Sequence, residues 1–193
     1  MNKRVLVIAG PTGCGESTIT NELIKRFPSF KRLVTATTRA MRAGERNAVS
    51  YYFLSKEKFK DEISKGNIIE HTYVENRDAY YGSYKPDLDK KIAAGFNIIV
   101  NPDMVGAKYY KDKYAAITIF IKPDFIENIR KRILNREPEI TDKELSSRLV
   151  NAENEIRNEI SAYDFVVTNK QDLLEEAVNE IVEILKKEGF KLS

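Results

Sequence analysis

The sequence predicts an α/β fold, in which helices cover both faces of a parallel sheet and a smaller subdomain is inserted in the middle. Three observations carry this prediction. Short β-branched, apolar runs alternate with segments of helical period at both ends of the chain. The first run, Val5 to Ala9, passes through a glycine-rich loop into a helix. Residues from about 35 to 86 break the alternation, as an insertion would.

Strands of the main sheet are expected at residues 5–9, 33–36, 96–100, 115–121 and 165–168, each short and rich in β-branched or aromatic side chains. After the first strand, Ile19, Leu23, Ile24 and Phe27 share one face of a helix. The middle stretch reads as a small mixed sheet. It has a turn over Arg42-Ala43-Gly44-Glu45, a strand at 51–54, a charged helix at 56–65 with Phe59 and Ile63 inward, and a strand at 67–74. A polar turn, Glu75-Asn76-Arg77-Asp78, follows. Residues 135–140, where Glu137-Pro138 ends a helix, are charged and poor in apolar side chains, and are expected to form a mobile, hairpin-like lid. A long helix starts near Thr141, which has capping-box spacing to Glu144, and buries Leu145, Leu149, Ala152, Ile156 and Ile160. Leu173, Ala177, Ile181, Ile184 and Leu185 give the inner face of the last helix.

Composition narrows the function. The 193 residues suit one domain, and a hydrophobic content of 42% with 32% charged residues suits a soluble globular protein. A net charge of +3, from 32 basic and 29 acidic residues, is too mild to argue for nucleic acid. No apolar run reaches membrane-span length, and Lys3 and Arg4 precede a strand rather than a signal peptide. The lone Cys14 excludes an internal disulfide, so a cytoplasmic setting is expected. Cys14 reads as a small residue tolerated in a tight loop rather than a redox switch.

Four constellations carry chemistry. The stretch VLVIAGPTGCGEST has the strand–loop–helix layout that aims backbone N–H groups and a helix N-terminus at phosphate. Its spacing is that of the nucleotide-binding P-loop, G-x-x-x-x-G-K-[ST], except that Glu16 stands at the lysine position. In Thr37-Thr38-Arg39-Ala40-Met41-Arg42, two arginines beside hydroxyls can clamp a phosphate, supported by Tyr51 and Tyr80-Tyr81-Gly82-Ser83. Glu70, out of pattern in mid-strand, and Asp103, after a strand end, can accept the N1–H and 2-amino edge of guanine. Arg132 and Arg136, one helical turn apart, and Arg148 can neutralise a transferring phosphoryl group, or can pair with Glu137, Glu139 and Glu144. His71, the single histidine, is expected to be structural.

The segments GPTGCGEST, TATTRAMRAGE, YYF, IIEHTYV, YYGS, DMVGA and FVVTNKQDL, in this order and spacing, resemble the guanylate kinase family over residues 5–185. The resemblance implies a P-loop kinase core (1–34, 84–134 and 150–193), a GMP-binding subdomain (35–83) and a lid region (135–149) in a single domain. It implies transfer of the γ-phosphoryl of ATP to GMP with Mg²⁺, in purine nucleotide metabolism. Gly10, Pro11, Thr12, Gly13, Cys14, Gly15, Glu16, Ser17 and Thr18 fall on the ATP-phosphate loop, with Ser17 on the metal. Thr35, Arg39, Arg42, Tyr51, Glu70, Tyr81, Ser83 and Asp103 fall on GMP positions. Arg132, Arg136 and Arg148 fall near the phosphates, and Asn169 falls near the adenine end. The implied partners are ATP and GMP, with neither nucleic acid nor membrane; the oligomeric state, a homodimer included, stays open.

The chain departs from the family pattern at Glu16, at Asn101 (an amide where a magnesium-linked acid is usual), at Thr35 (which keeps a hydroxyl) and in a two-residue insertion at 75–78. The first two strike the phosphoryl-transfer centre. They open an alternative reading, a catalytically weak relative that binds GMP or a phosphorylated partner without efficient turnover.

Overall fold

In the computed structural model, residues 4–42, 44–75 and 78–193 are described. Lys3, Ala43, Asn76 and Arg77, which enter the expected N-terminal charge and turns, lie outside them. The elements run β1 (Val5–Ala9), α1 (Glu16–Arg26), β2 (Phe30–Arg32), β3 (Ala36–Thr37), β4 (Tyr52–Phe53), α2 (Lys56–Ser64), β5 (Ile68–Val74) and β6 (Ala79–Tyr84). Then come α3 (Lys85–Ala93), β7 (Asn97–Val100), α4 (Met104–Tyr114), β8 (Ile117–Pro123), α5 (Ile126–Arg136), α6 (Asp142–Glu159), β9 (Phe165–Asn169) and α7 (Leu174–Lys187). Among the described residues the strands form two sheets, ordered β2-β7-β1-β8-β9 and β4-β3-β6-β5.

The chain divides into two compact units, one of residues up to Phe30 and Ile99–Ser193, the other Lys31–Ile98. In the first, β1, β8 and β9 pair in parallel, with Leu6 opposite Ile117 and Ile119 opposite Phe165. The strands are near-continuous apolar runs because helices cover both faces. Leu6, Ile8, Ile119, Ile121 and Val167 of the sheet pack with Ile19 and Leu23 of α1 and Ala177, Val178, Ile181 and Leu185 of α7. Each fully buried side chain of this size contributes roughly 1.5–3 kcal/mol. The Phe30 ring stacks on Phe190 at 6.0 Å and fastens the C-terminal end.

The second unit is the expected mixed sheet. β3 runs parallel to β4 and antiparallel to β6, and β6 runs antiparallel to β5. Phe59 of α2 is buried against Ala36 and Ile68, with Ile63 half-buried beside them. The unit is wider than residues 35–83 because α3 belongs to it. Buried Asp87 of α3 accepts hydrogen bonds from the Val34 N–H (2.9 Å), the Tyr52 hydroxyl (3.1 Å) and Lys91 (2.6 Å). Burial, with Asp87 beside it, pushes the Tyr52 phenol up to about 12.

Several boundaries differ from expectation for local reasons. The strand expected at 33–36 is replaced by β2, three residues earlier, and by the two-residue β3. Asp87 takes the Val34 N–H that a ladder would have used. The strand expected at 115–121 starts at Ile117, since Ala115 is a left-handed C-cap of α4. Leu173 is the cap of α7 rather than part of its inner face, and is 43% exposed. The segment expected as a hairpin-like lid ends α5 at Arg136 and turns directly into α6. Ile140 packs there on Ile129, Ile133 and Leu145, so the two helices share one small core. Thr141 caps α6 by accepting the Glu144 N–H, as its spacing predicts.

Candidate functional site

In the first unit the glycine-rich loop is shaped by what surrounds it. A Cβ at Gly10 would lie 2.2 Å from the Ile121 carbonyl oxygen, and one at Gly15 would lie 2.3 Å from Asn169 Nδ2. Gly13 and Gly15 also have positive φ, 84° and 100°, which a glycine adopts at no steric cost. The Cys14 N–H donates to the Pro11 carbonyl (3.0 Å) and closes the turn. The Cys14 carbonyl in turn accepts from Asn169 Nδ2 (2.7 Å) and from the Arg132 guanidinium (3.2 Å). Arg132 also donates to the Asn169 carbonyl (3.1 Å). β9, α5 and the loop are thereby tied into one assembly. Burial raises the Cys14 thiol pKa far above its ordinary value, with the nearby Glu16 charge adding to the shift, so the thiol stays protonated.

A cavity of about 380 Å³ opens over this loop, lined by Thr12, Gly13, Gly15, Glu16, Ser17, Thr18, Arg132 and Arg136. The structure thus brings two of the three expected arginines to the loop. Arg148 is not among the lining residues. It pairs with Glu137 (3.0 Å) and Glu144 (2.6 Å), and Arg136 also pairs with Glu137 (2.7 Å). These contacts hold the Glu137 carboxyl below its ordinary range. Asn169, expected near the adenine end, is buried and supports the loop with its amide.

A second cavity, about 410 Å³, is lined by Gly10, Glu16, Asn101, Asp103, Glu155, Glu159 and Tyr163, among others. Asn101 suits its place as an amide. Its Nδ2 donates to the Ile8 carbonyl (2.8 Å) and to Thr20 Oγ1 (3.3 Å), where an aspartate would set a carboxylate against the Ile8 oxygen. One Asp103 oxygen caps α4 by accepting the Gly106 N–H (2.9 Å). The acids make this cavity electronegative. Burial raises the Glu155 and Glu159 pKa values, aided by Glu159 acting on Glu155 and by Asp103 acting on Glu159. The Tyr163 phenol is raised by burial and then by Glu159, Asp103, Glu16 and Glu155. Among the described residues no three His, Cys, Asp or Glu side chains converge to hold a metal ion.

The raised carboxyls give a stability prediction. With folded pKa values above the unfolded ones, the folded state holds extra protons in the window between the two, and stability falls as pH rises through it. Glu159→Gln should therefore melt a few degrees above the parent at pH 7.5, with the difference shrinking towards pH 4. Thermal melts across that range check it. The sequence-level signal for this pair is the i, i+4 spacing of two like charges, which opposes a helix.

In the second unit Glu70, Tyr81 and Ser83 stand on one sheet, Arg39, Arg42 and Tyr51 lie between β3 and β4, and Thr35 precedes β3; Asp103 belongs to the first unit. Glu70 stands out of pattern because of a β-bulge. Ile68 pairs with Tyr84 and His71 with Gly82, so Ile69 and Glu70 together oppose Ser83. The Ser83 hydroxyl donates to Glu70 Oε1 at 2.5 Å. Tyr81 shares the Ser83 face of β6, and its ring meets Tyr51 edge-on at 6.0 Å. Arg39 lies over Tyr51 and Phe53, 5.5 and 5.6 Å from their centroids. Arg42 is exposed and Thr35 half-buried. Beside them the Thr37 hydroxyl donates to the Tyr80 carbonyl and the Thr38 hydroxyl accepts the Tyr80 N–H, at 2.9 Å each. His71 meets Phe59 edge-on at 6.2 Å and Tyr80 at a tilt at 6.4 Å, a structural role. Glu45, read from sequence only as a turn residue, grips Arg39 at 2.7 and 3.0 Å.

A family model described as guanylate kinase matches residues 2–188. The chain is 35% identical over 185 residues to a guanylate kinase of Prochlorococcus marinus subsp. pastoris, covering 95% of this chain and 97% of that one. It is 38% identical over 189 residues to one from Clostridium perfringens, covering 97% and 85%. The crystal structure of guanylate kinase from Anaplasma phagocytophilum superposes with a TM-score of 0.72 at 30% identity, covering 98% of this chain and 88% of that one.

Proposed function

The chain belongs to the guanylate kinase family, and from that premise we propose that it transfers the γ-phosphoryl group of ATP to GMP, giving ADP and GDP. One observation carries the substrate assignment. One small unit holds Arg39 over the rings of Tyr51 and Phe53 and, two residues along β6 from Tyr81, a bulge-displaced Glu70 that accepts from Ser83. The first group suits a phosphate and the second a guanine edge. Arg42 and Thr35 complete the GMP set, and Asp103, with one oxygen on α4 and exposed at the surface, is the second candidate acid for guanine.

The ATP phosphates are assigned to the cavity over residues 10–18. Its backbone N–H groups at the start of α1 and the guanidinium groups of Arg132 and Arg136 supply the positive side. An oxygen of the GMP phosphate attacks the γ-phosphorus, the bond to the β-phosphate oxygen breaks, and that oxygen leaves on ADP. The protein forms no covalent bond, so its work is positioning and charge neutralisation. The donors near the loop, the Ser17 hydroxyl and the Asn101 amide oxygen, are the hard oxygens that suit Mg²⁺. Ser17 would hold the ion, which when bound neutralises phosphate charge. Among the described residues no helix is long and apolar enough to cross a membrane. The proposed setting is the cytoplasm, in purine nucleotide metabolism.

Calorimetry with GMP and AMP tests the substrate. GMP is expected to bind at least about tenfold tighter, because adenine leaves the carboxylate without its N–H donors. Equal affinity would overturn the guanine assignment.

A further inference from the structure

We infer that Glu45 is a positioning residue that pre-sets the phosphate clamp by fixing both arginine-bearing positions through one carboxylate. The inference rests on the phosphate site proposed above. Glu45 Oε1 accepts from Arg39 Nη2 (2.7 Å) and Oε2 accepts from Arg39 Nη1 (3.0 Å), a fork-on-fork pair. Oε2 also accepts the backbone N–H of Arg42 (2.7 Å), and the Glu45 N–H donates to the Arg42 carbonyl (3.1 Å). One side chain therefore closes the turn that presents Arg42 and aims the guanidinium of Arg39.

The rest of the Arg39 environment agrees with a fixed orientation. Its Nη1 donates to the Ala40 carbonyl (2.6 Å), and its guanidinium carbon lies 5.5 and 5.6 Å from the centroids of Tyr51 and Phe53. The Arg39 side chain is only 12% exposed. The fork of Arg39 and the N–H of Arg42 hold the Glu45 carboxyl down at about 2, so it is ionised throughout the physiological range. A guanidinium carries five N–H donors in one plane, so a carboxylate on part of that edge leaves donors for a second anion. Glu45 is thus a permanent holder of the arginine rather than an occupant that must leave. Without it, Arg39 and the turn would have to be ordered at the moment of binding.

The test compares GMP with guanosine, which lacks the phosphate, by calorimetry on the parent chain and on Glu45→Gln, Glu45→Asp and Glu45→Ala. The inference expects Glu45→Gln to lose on the order of tenfold in GMP affinity, with guanosine binding unchanged. In turnover, KM for GMP should rise while kcat holds, and Glu45→Asp should recover part of the loss. If the parent itself gains nothing from the phosphate, the phosphate-site reading fails. If the parent prefers GMP and Glu45→Gln keeps that preference in full, the positioning role is overturned. Tighter GMP binding by Glu45→Gln would show the carboxylate to be a competitor, and would overturn it as well. Parallel loss of guanosine binding in both Glu45→Gln and Glu45→Ala would mark a purely structural residue and would likewise overturn the positioning role.

Discussion

Glu16→Lys is expected to raise kcat/KM for ATP by at least about tenfold, while GMP affinity measured without ATP stays nearly constant. Glu16 lines the cavity over the phosphate loop. A carboxylate there forgoes a charged hydrogen bond worth about 1.5–3 kcal/mol. At about 4 Å from a phosphate it adds a repulsion of about 4 kcal/mol at an effective dielectric near 20. The two guanidinium groups on the same cavity, Arg132 and Arg136, offset part of this. The surroundings point the same way. Glu16 shares the second cavity with Asp103, Glu155 and Glu159, so a lysine would meet three acids where a fourth acid now stands. Glu16→Lys should therefore also raise the melting temperature and lower the Tyr163 pKa, which the Glu16 charge helps to raise, two readouts independent of turnover. A coupled assay of ADP formation measures the rate. If the variant is more stable but no faster, the chain is a GMP-binding relative with little turnover. If the parent already turns over at kinase rates, roughly 1–100 per second, the loop arginines have taken over the lysine's charge.

Gly10→Ala is expected to abolish phosphate-loop function and to lower stability by more than about 3 kcal/mol, in the range of severe steric substitutions. The added Cβ would lie 2.2 Å from the Ile121 carbonyl oxygen and 2.9 Å from Cys14 Sγ. Neither neighbour can yield cheaply. Ile121 is on β8, paired with Val167 of β9, and Cys14 is buried in the core. For a chain of this size each kcal/mol is about 2–4 °C, so the melting temperature should fall by roughly 6–12 °C. Gly95→Ala separates clash from backbone strain. Its φ is +86°, but no atom stands within 4 Å of its Cβ. A loss equal to that of Gly10→Ala would mean that glycine conformation, not the close approach, sets the cost.

What the sequence made legible is what local spacing encodes. The glycine-rich loop between β1 and α1, the Thr141 cap and the mixed character of the middle unit follow from neighbours within a few residues. The rest depends on partners far along the chain. β2 has three residues, too few to show a period, and the Val34 N–H is claimed by Asp87, 53 positions away. The use of Asn169 to hold the Cys14 carbonyl spans 155 positions. Arg132 and Arg148 read alike in sequence, yet one reaches the loop and the other stays with Glu137 and Glu144. Glu70 was visible as an exception to its strand, but the bulge that explains it needs the register against β6.

The burial of Cys14 also makes the loop its own gauge. The thiol is the single one in the chain, it has no exposed surface, and it is held in its protonated, unreactive form. A thiol reagent can reach it only when the loop and its ties to Asn169 and Arg132 come apart. The labelling rate thus counts those openings, as hydrogen exchange counts the openings of an amide. A nucleotide that closes on the loop should slow the labelling in proportion to its occupancy. Ligand binding at the phosphate loop could then be followed with a colorimetric reagent, on the unmodified chain and without any turnover.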